Sequence, residues 1–340
     1  MKVRSARPIT AAAVIAVAVS GVAGCGGRRE TAAPAAASDA AITCTIESET
    51  RIGIATGNTT GVYYQLGNAF ATQISDATGG KLKATAAETG ASVQNIQQLV
   101  NGQYQVAFSI FDTATDAVNG TESFTSKQPV RALARIYNNY TQVVARADAG
   151  INSVADMKGK RVSTGSPKSG TEVIAHRLLK AAGVDPESGI TAQRLDLGKS
   201  VEGMKDGSID AMVWSGGLPT GGITDLFTSL GDKAKIIDIS AELQDMQAIN
   251  PAYQAGSIPA ATYKRSADVP TIVVPNVLLV RDDLDANVAC VLTKTLFDKR
   301  DDLAKVNAAA KGISLDTARK TDPVPLHRGA EQALKDLGAK

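Results

Sequence analysis

The sequence predicts an α/β protein of two lobes, each built on a mostly parallel sheet, and three observations lead there. Short apolar runs of strand length alternate with segments of helical period along residues 51–110. The same alternation restarts near residue 161, after a long β-like passage at 130–146. About 290 residues follow a low-complexity N-terminal stretch, more than one hydrophobic core usually organises.

The N-terminus has the three parts of a secretory leader. Lys2, Arg4 and Arg7 form a basic start, residues 11–19 a short apolar run, and small residues lead to Cys25. The apolar run is too short to cross a bilayer as a permanent helix. Val22-Ala23-Gly24-Cys25 resembles the bacterial lipobox, which implies cleavage after residue 24 and lipidation of the Cys25 thiol. A plain cleaved leader with an incidental cysteine is the alternative. Either leader places the protein outside the cytoplasm, and a lipid would hold it on the outer face of the cell membrane. Residues 25–48 are rich in Ala, Thr, Ser, Gly and Pro and read as a flexible tether.

With Cys25 assigned to lipid, Cys44 and Cys290 remain as an even pair in an oxidising compartment. They either form one disulfide between the tether's end and the C-terminal helices or stay as two thiols. The chain carries 36 Lys and Arg against 34 Asp and Glu, and loss of Lys2, Arg4 and Arg7 leaves 33 against 34. No basic stripe appears, so nucleic acid is not an expected partner.

In the first lobe a strand at 51–55 ends at Gly57, and Asn58-Thr59-Thr60-Gly61 turns the chain. Val62, Leu66, Phe70 and Ile74 then mark one face of a helix over 62–77, closed by Gly79-Gly80. This order leaves the first helical N–H groups unpaired where the macrodipole adds positive charge. The place suits a carboxylate or phosphate, or is an ordinary βα loop. A strand at 81–88 leads through Thr89-Gly90-Ala91-Ser92 into a helix marked by Val93, Ile96, Leu99 and Val100. A third strand at 105–110 ends in Phe111-Asp112-Thr113, where Asp112 is either a general base or a carboxylate held by neighbouring N–H groups. Ligands of such sheets bind beyond the carboxyl ends of the strands, here the turns at 57–61, 89–92 and 110–113.

Residues 130–146 read as a strand leaving the first lobe. Beyond a short helix capped by Ser153 and ended by Gly159, a strand at 161–163 runs into Gly165-Ser166-Pro167-Lys168-Ser169-Gly170-Thr171-Glu172. Ser169 and Glu172 have capping-box spacing, and Val173, Ile174 and Leu178 give the helix its buried face. Ser166, Ser169 and Thr171 offer hydroxyl groups to a second anion site, although turn and cap chemistry alone accounts for the serines. A strand at 193–197, a helix marked by Val201 and Met204, and a strand at 209–214 follow. The last ends in Trp214 and Ser215-Gly216-Gly217. This sole tryptophan is a core residue or a cleft wall over the aliphatic part of a ligand. Residues 247–270 have turn composition, and the strand at 272–280, interrupted by Pro275, reads as an edge or crossing strand. Helices at 284–305 and 315–320 and a final one complete the chain. The expected lobes are 49–142 with 277–340, and 143–276.

His176 and His327 are the only histidines, and no cysteine pair has metal-ligand spacing, so no metal site is expected. Neither a P-loop nor G-x-G-x-x-G follows a strand, no G-x-S-x-G elbow presents a serine, and no paired carboxylates suggest hydrolysis. No cofactor is implied.

GIATGNTTGVYYQLGNAFA, ETGASVQNIQQLVNGQYQVAFS, VVARADAGINSVADMKGKRVSTGSPKSGT, DGSIDAMVWSGGLP, IPAATY and PLHRGA resemble, in this order, the TAXI-type solute receptors of TRAP (tripartite ATP-independent) transporters. The resemblance spans about residues 50–330. It implies a type II periplasmic-binding-protein fold, two α/β lobes joined by crossing hinge strands and closing on a small ligand. It further implies amino acids such as glutamate or glutamine, or related carboxylates, as ligands, an integral membrane permease as partner, and binding without catalysis. Ligand-binding positions carried over are Gly57, Thr60, Gly61, Tyr63 and Tyr64, then Ser92, then Ser166, Ser169, Gly170 and Thr171, then Trp214, Ser215 and Gly216. Asn58 and Asp112 join them as strand-end candidates. The two tyrosines point about 100° apart on a helix, so one of them faces the cleft. The chain departs from the family at Ala91, where glycine is common. A sensory lipoprotein signalling to a membrane kinase and a secreted hydrolase or transferase are the competing functions.

Overall fold

The computed structural model describes residues 41–340; the leader, Cys25 and most of the tether lie outside them. The first βα series is β1 (Thr50–Ala55), α1 (Val62–Ala77), β2 (Leu82–Ala87), α2 (Ser92–Val100), β3 (Val106–Ile110) and α3 (Phe111–Asn119). The 17-residue β4 (Val130–Arg146) leaves it. A second series follows as β5 (Arg161–Ser163), α4 (Gly170–Ala181), β6 (Thr191–Gln193), α5 (Leu197–Asp206), β7 (Ala211–Gly216) and α6 (Gly221–Leu230). Then come β8 (Ala234–Ile236), α7 (Leu243–Ile249), β9 (Gln254–Ile258) and β10 (Val269–Arg281). The chain ends in α8 (Ala286–Asp298), α9 (Arg300–Val306), α10 (Leu315–Ala318) and α11 (Arg328–Asp336).

The strands lie in the order β2-β1-β3-β10-β4-β7-β5-β6, with β8 paired to β4 and β9 to β10. β1 runs parallel to β2 and β3, with Ile54 opposite Val106. β5 runs parallel to β6 and β7. Between these two parallel groups lie β10 and β4, antiparallel to each other and to their outer neighbours. The result is the type II periplasmic-binding-protein architecture, two α/β lobes joined by crossing strands. Helical crossovers between parallel strands leave every strand-to-helix turn of a parallel group at one end.

Of the edge and crossing readings of 272–280 the structure takes the crossing one: β10 is held on both sides by β3 and β4, and its register shifts between Pro275 and Val277, where the proline has no N–H to give. Several other local expectations change. Residues 110–113 are not a turn, since α3 starts at Phe111 directly after β3. The strand expected at 193–197 ends at Gln193, because Asp196 caps α5 by accepting the Lys199 N–H at 2.8 Å. The stretch 247–270 is more ordered than its composition suggests and contains β9. The helix expected over 284–305 is two helices meeting at Lys299.

Three apolar clusters hold this arrangement. One, with Ile52, Leu66, Phe70 and Leu292, packs α1 and α8 on the first lobe. Another, with Leu197, Val201, Met212 and Ile223, packs α5 and α6 on the second. The third joins Ile96 and Ala114 to Ile174 and Leu178 and includes Val143 and Val274 of the crossing strands, so it bridges both series. Cys44 and Cys290 are disulfide-bonded with 5.2 Å between their Cα atoms, tying the start of the globular body to α8. Among the described residues no helix is long and apolar enough to cross a membrane.

Candidate functional site

Four helices begin at the carboxyl ends of strands and aim their N-termini into one cavity. Their N-caps are Gly61 for α1, Ala91 for α2, Ile110 for α3 and Ser169 for α4, and all four line it. The space among the lining residues, its open mouth included, is ≈ 450 Å³. None of its lining residues is Lys, Arg, His, Asp or Glu. Its field thus comes from helix ends and backbone N–H groups, which favour an anion.

Each cap is built differently. Gly61 has no side chain to bond the first turn of α1, leaving those N–H groups to whatever enters. Ser169 accepts the Glu172 N–H at 3.0 Å, the first half of the capping box its spacing predicts. The return bond is displaced by one residue: Glu172 accepts the Lys168 N–H at 2.8 Å, while the Ser169 N–H goes to the Ser166 carbonyl at 3.1 Å. Ser92 Oγ accepts the Ile110 N–H at 3.1 Å and ties the tips of α2 and α3 together. Ala91 is held at φ 73°, ψ −152°, a conformation that glycine alone adopts freely. Ala91→Gly is expected to raise stability by about 1 kcal/mol through relief of this strain, read from urea denaturation.

Contacts across the gap show it nearly shut. Asn58 Nδ2 donates to Ser166 Oγ at 3.4 Å, and the Gln94 N–H donates to the Lys168 carbonyl at 3.1 Å. Thr171 and Ser215 share a hydroxyl bond of 3.0 Å on the far wall. Trp214 is 9% exposed and donates its indole N–H to Thr220 at 3.2 Å, so it is buried and also a wall. A Cβ on Gly61 would stand 3.5 Å from its ring, and one on Gly216 only 2.6 Å from Nε1. Tyr63 places its hydroxyl against Asn276, and burial pushes the phenol's pKa well up, so it acts as a neutral group.

The structure brings twelve of the expected residues together here: Gly57, Asn58, Gly61, Tyr63, Ser92, Ser166, Ser169, Gly170, Thr171, Trp214, Ser215 and Gly216. Three stand apart. Thr60 is exposed on the turn, and the cavity is met by its neighbour Gly61. Tyr64 is half-buried and outside the lining; Tyr63 is the tyrosine that faces in.

Asp112 also lies outside the cavity, in the first turn of α3, fully buried. It accepts the Thr113 N–H at 2.6 Å, an Arg177 Nη1–H at 2.9 Å and the Tyr253 hydroxyl. Arg177, on α4, reaches Asp116 as well, at 2.7 Å. Two carboxylates of α3 thus hold one guanidinium of α4. Burial pushes Asp116 up to about 6 despite Arg177. A carboxyl raised on folding stabilises fully below its unfolded value near pH 4, and that contribution is lost as pH rises through about 6. Between those values this group should lower stability by at most about 1.4 kcal/mol per pH unit, a slope that Asp116→Asn should remove from the urea midpoint profile.

Ala91 and Ile110 line the cavity within the strand-end stretches 89–92 and 110–113, whereas Val62, Asn139 and Gly217 line it without having been expected to. The paired asparagines Asn138-Asn139 in the middle of the crossing strand were the available signal for Asn139. Neither His176 nor His327 lines the cavity; His327, 2% exposed, caps α11 through Nδ1.

A sequence model described as the NMT1-like family matches residues 54–338. Among solved structures, a protein of Bordetella bronchiseptica RB50 is 22% identical, with a TM-score of 0.52 over 86% of this chain and 89% of that one. The binding-protein component of an ABC phosphonate transporter from Pseudomonas aeruginosa is 16% identical, with a TM-score of 0.52 over 86% and 90%. At these identities the likeness is one of fold.

Proposed function

This chain belongs to the NMT1-like family, and from that premise we propose that it is an extracytoplasmic solute receptor that captures a small carboxylate without chemistry. The observation that carries this reading is the convergence of four helix N-caps on a gap with no charged side chain. A carboxylate accepting two or three such N–H or hydroxyl bonds, at about 1.5–3 kcal/mol each, reaches micromolar affinity. The lobes are 49–142 with 277–340, and 143–276, and bending of β4 and β10 opens and closes the cleft between them. Lipidation at Cys25 holds the receptor to the membrane, and the closed form hands its cargo to a TRAP permease. The six segments that resemble TAXI-type receptors support the choice of permease.

Thermal shift against amino acids, dicarboxylates, phosphonates and sulfonates tests the capture. A ligand at 100 times its Kd adds about 2.7 kcal/mol and raises the melting temperature. If no small anion moves the transition, the receptor reading fails.

A further inference from the structure

Asn139 lies on β4, 1% exposed, and lines the cavity. A chain of hydrogen bonds fixes its amide. Asn276 on β10 donates through Nδ2 to the Tyr137 carbonyl at 3.0 Å, so its Oδ1 must accept. That oxygen receives the Tyr63 hydroxyl and, at 3.2 Å, Asn139 Nδ2. Turning the Asn139 amide over would press two carbonyl oxygens together. Asn139 Oδ1 is therefore directed away from Asn276, and it is a buried acceptor without a partner. Such an atom has lost its water and gained nothing in return.

The Asn58 amide also lines the wall, but its Oδ1 already accepts the Leu197 N–H at 3.3 Å and its Nδ2 donates to Ser166 Oγ. The hydroxyls of Ser166, Thr171 and Ser215 can rotate to donate or accept, and the helix tips only donate. Asn139 Oδ1 only accepts. We infer that Asn139 is the specificity-determining residue of this cleft, selecting guests that carry an N–H donor, such as an ammonium or amide, beside their anionic group. An anion with acceptors alone leaves Oδ1 unpaired or sets a second oxygen against it. This rests on the capture reading above, and it narrows the guest by chemistry that the helix tips cannot read.

Three matched pairs test it on the intact protein by calorimetry: glutamate against glutarate, alanine against propionate, and taurine against ethanesulfonate. In every pair that binds, the ammonium-bearing member should bind at least tenfold more tightly. In Asn139→Leu, with folding checked by circular dichroism, the preference should shrink to within about threefold. Equal or tighter binding of the member without nitrogen overturns the inference while leaving the receptor reading intact, because a cavity water would then be the partner of Oδ1. An undiminished preference in Asn139→Leu overturns the role of this residue. Failure of every member to bind overturns both readings.

Discussion

Arg177→Met is expected to destabilise the protein by about 3–5 kcal/mol in urea denaturation at pH 7. The guanidinium is 5% exposed and pairs with Asp112 at 2.9 Å and Asp116 at 2.7 Å, carboxylates that are themselves buried. Methionine fills much of the volume, so the loss measures two carboxylates left without a counter-ion rather than a cavity. The effect should be smaller at pH 5, where Asp116, raised to about 6, takes up its proton. A triple variant that also carries Asp112→Asn and Asp116→Asn should regain part of the loss, since no unpaired charge remains buried. The cluster joins α3 to α4, so it also bears on how firmly the two lobes hold together. A loss under about 1 kcal/mol for Arg177→Met would falsify this account.

The residues that the sequence alone revealed are those with local causes. The glycine-bounded turn before α1 and the Ser169–Glu172 box before α4 announce helix starts through backbone and cap chemistry contained in a few residues. Such signals also located most of the cleft, because in parallel sheets strand ends are where ligands go. What escaped depends on long-range pairing. Asn139 and Asn276 are 137 positions apart and matter only because β4 and β10 lie side by side. Asp112 had the right address, a strand end, but its side chain was claimed by Arg177, 65 residues on. Thr60 had the right loop and the wrong side of it. Pro275 left an edge or a crossing strand open by its missing N–H, and a register shift accommodates the proline in the middle of the sheet.

Gly170→Val should cut affinity for the guest by about hundredfold, close to 3 kcal/mol, while leaving the fold intact. Gly170 is the first residue of α4, and a Cβ there would lie 2.5 Å from Ile110 Cδ1 and 2.7 Å from Ser92 Oγ. Those are atoms of the first βα series, whereas Gly170 belongs to the second, and both atoms are pinned. Ile110 is 2% exposed, and Ser92 Oγ already accepts the Ile110 N–H at 3.1 Å. A valine therefore has no space unless the tip of α4 withdraws from the tips of α2 and α3, which separates the donors that must act on one guest together. Within its own lobe the substitution costs little, since valine suits a helix better than glycine. Gly221→Ala is the control. It too opens a helix, α6, but its Cβ would meet the Thr60 carbonyl at 3.4 Å, an ordinary contact. Scattering should find Gly170→Val more extended than the parent in the presence of ligand, and Gly221→Ala unchanged. Full affinity in Gly170→Val would mean that the guest does not need the two lobes closed on each other.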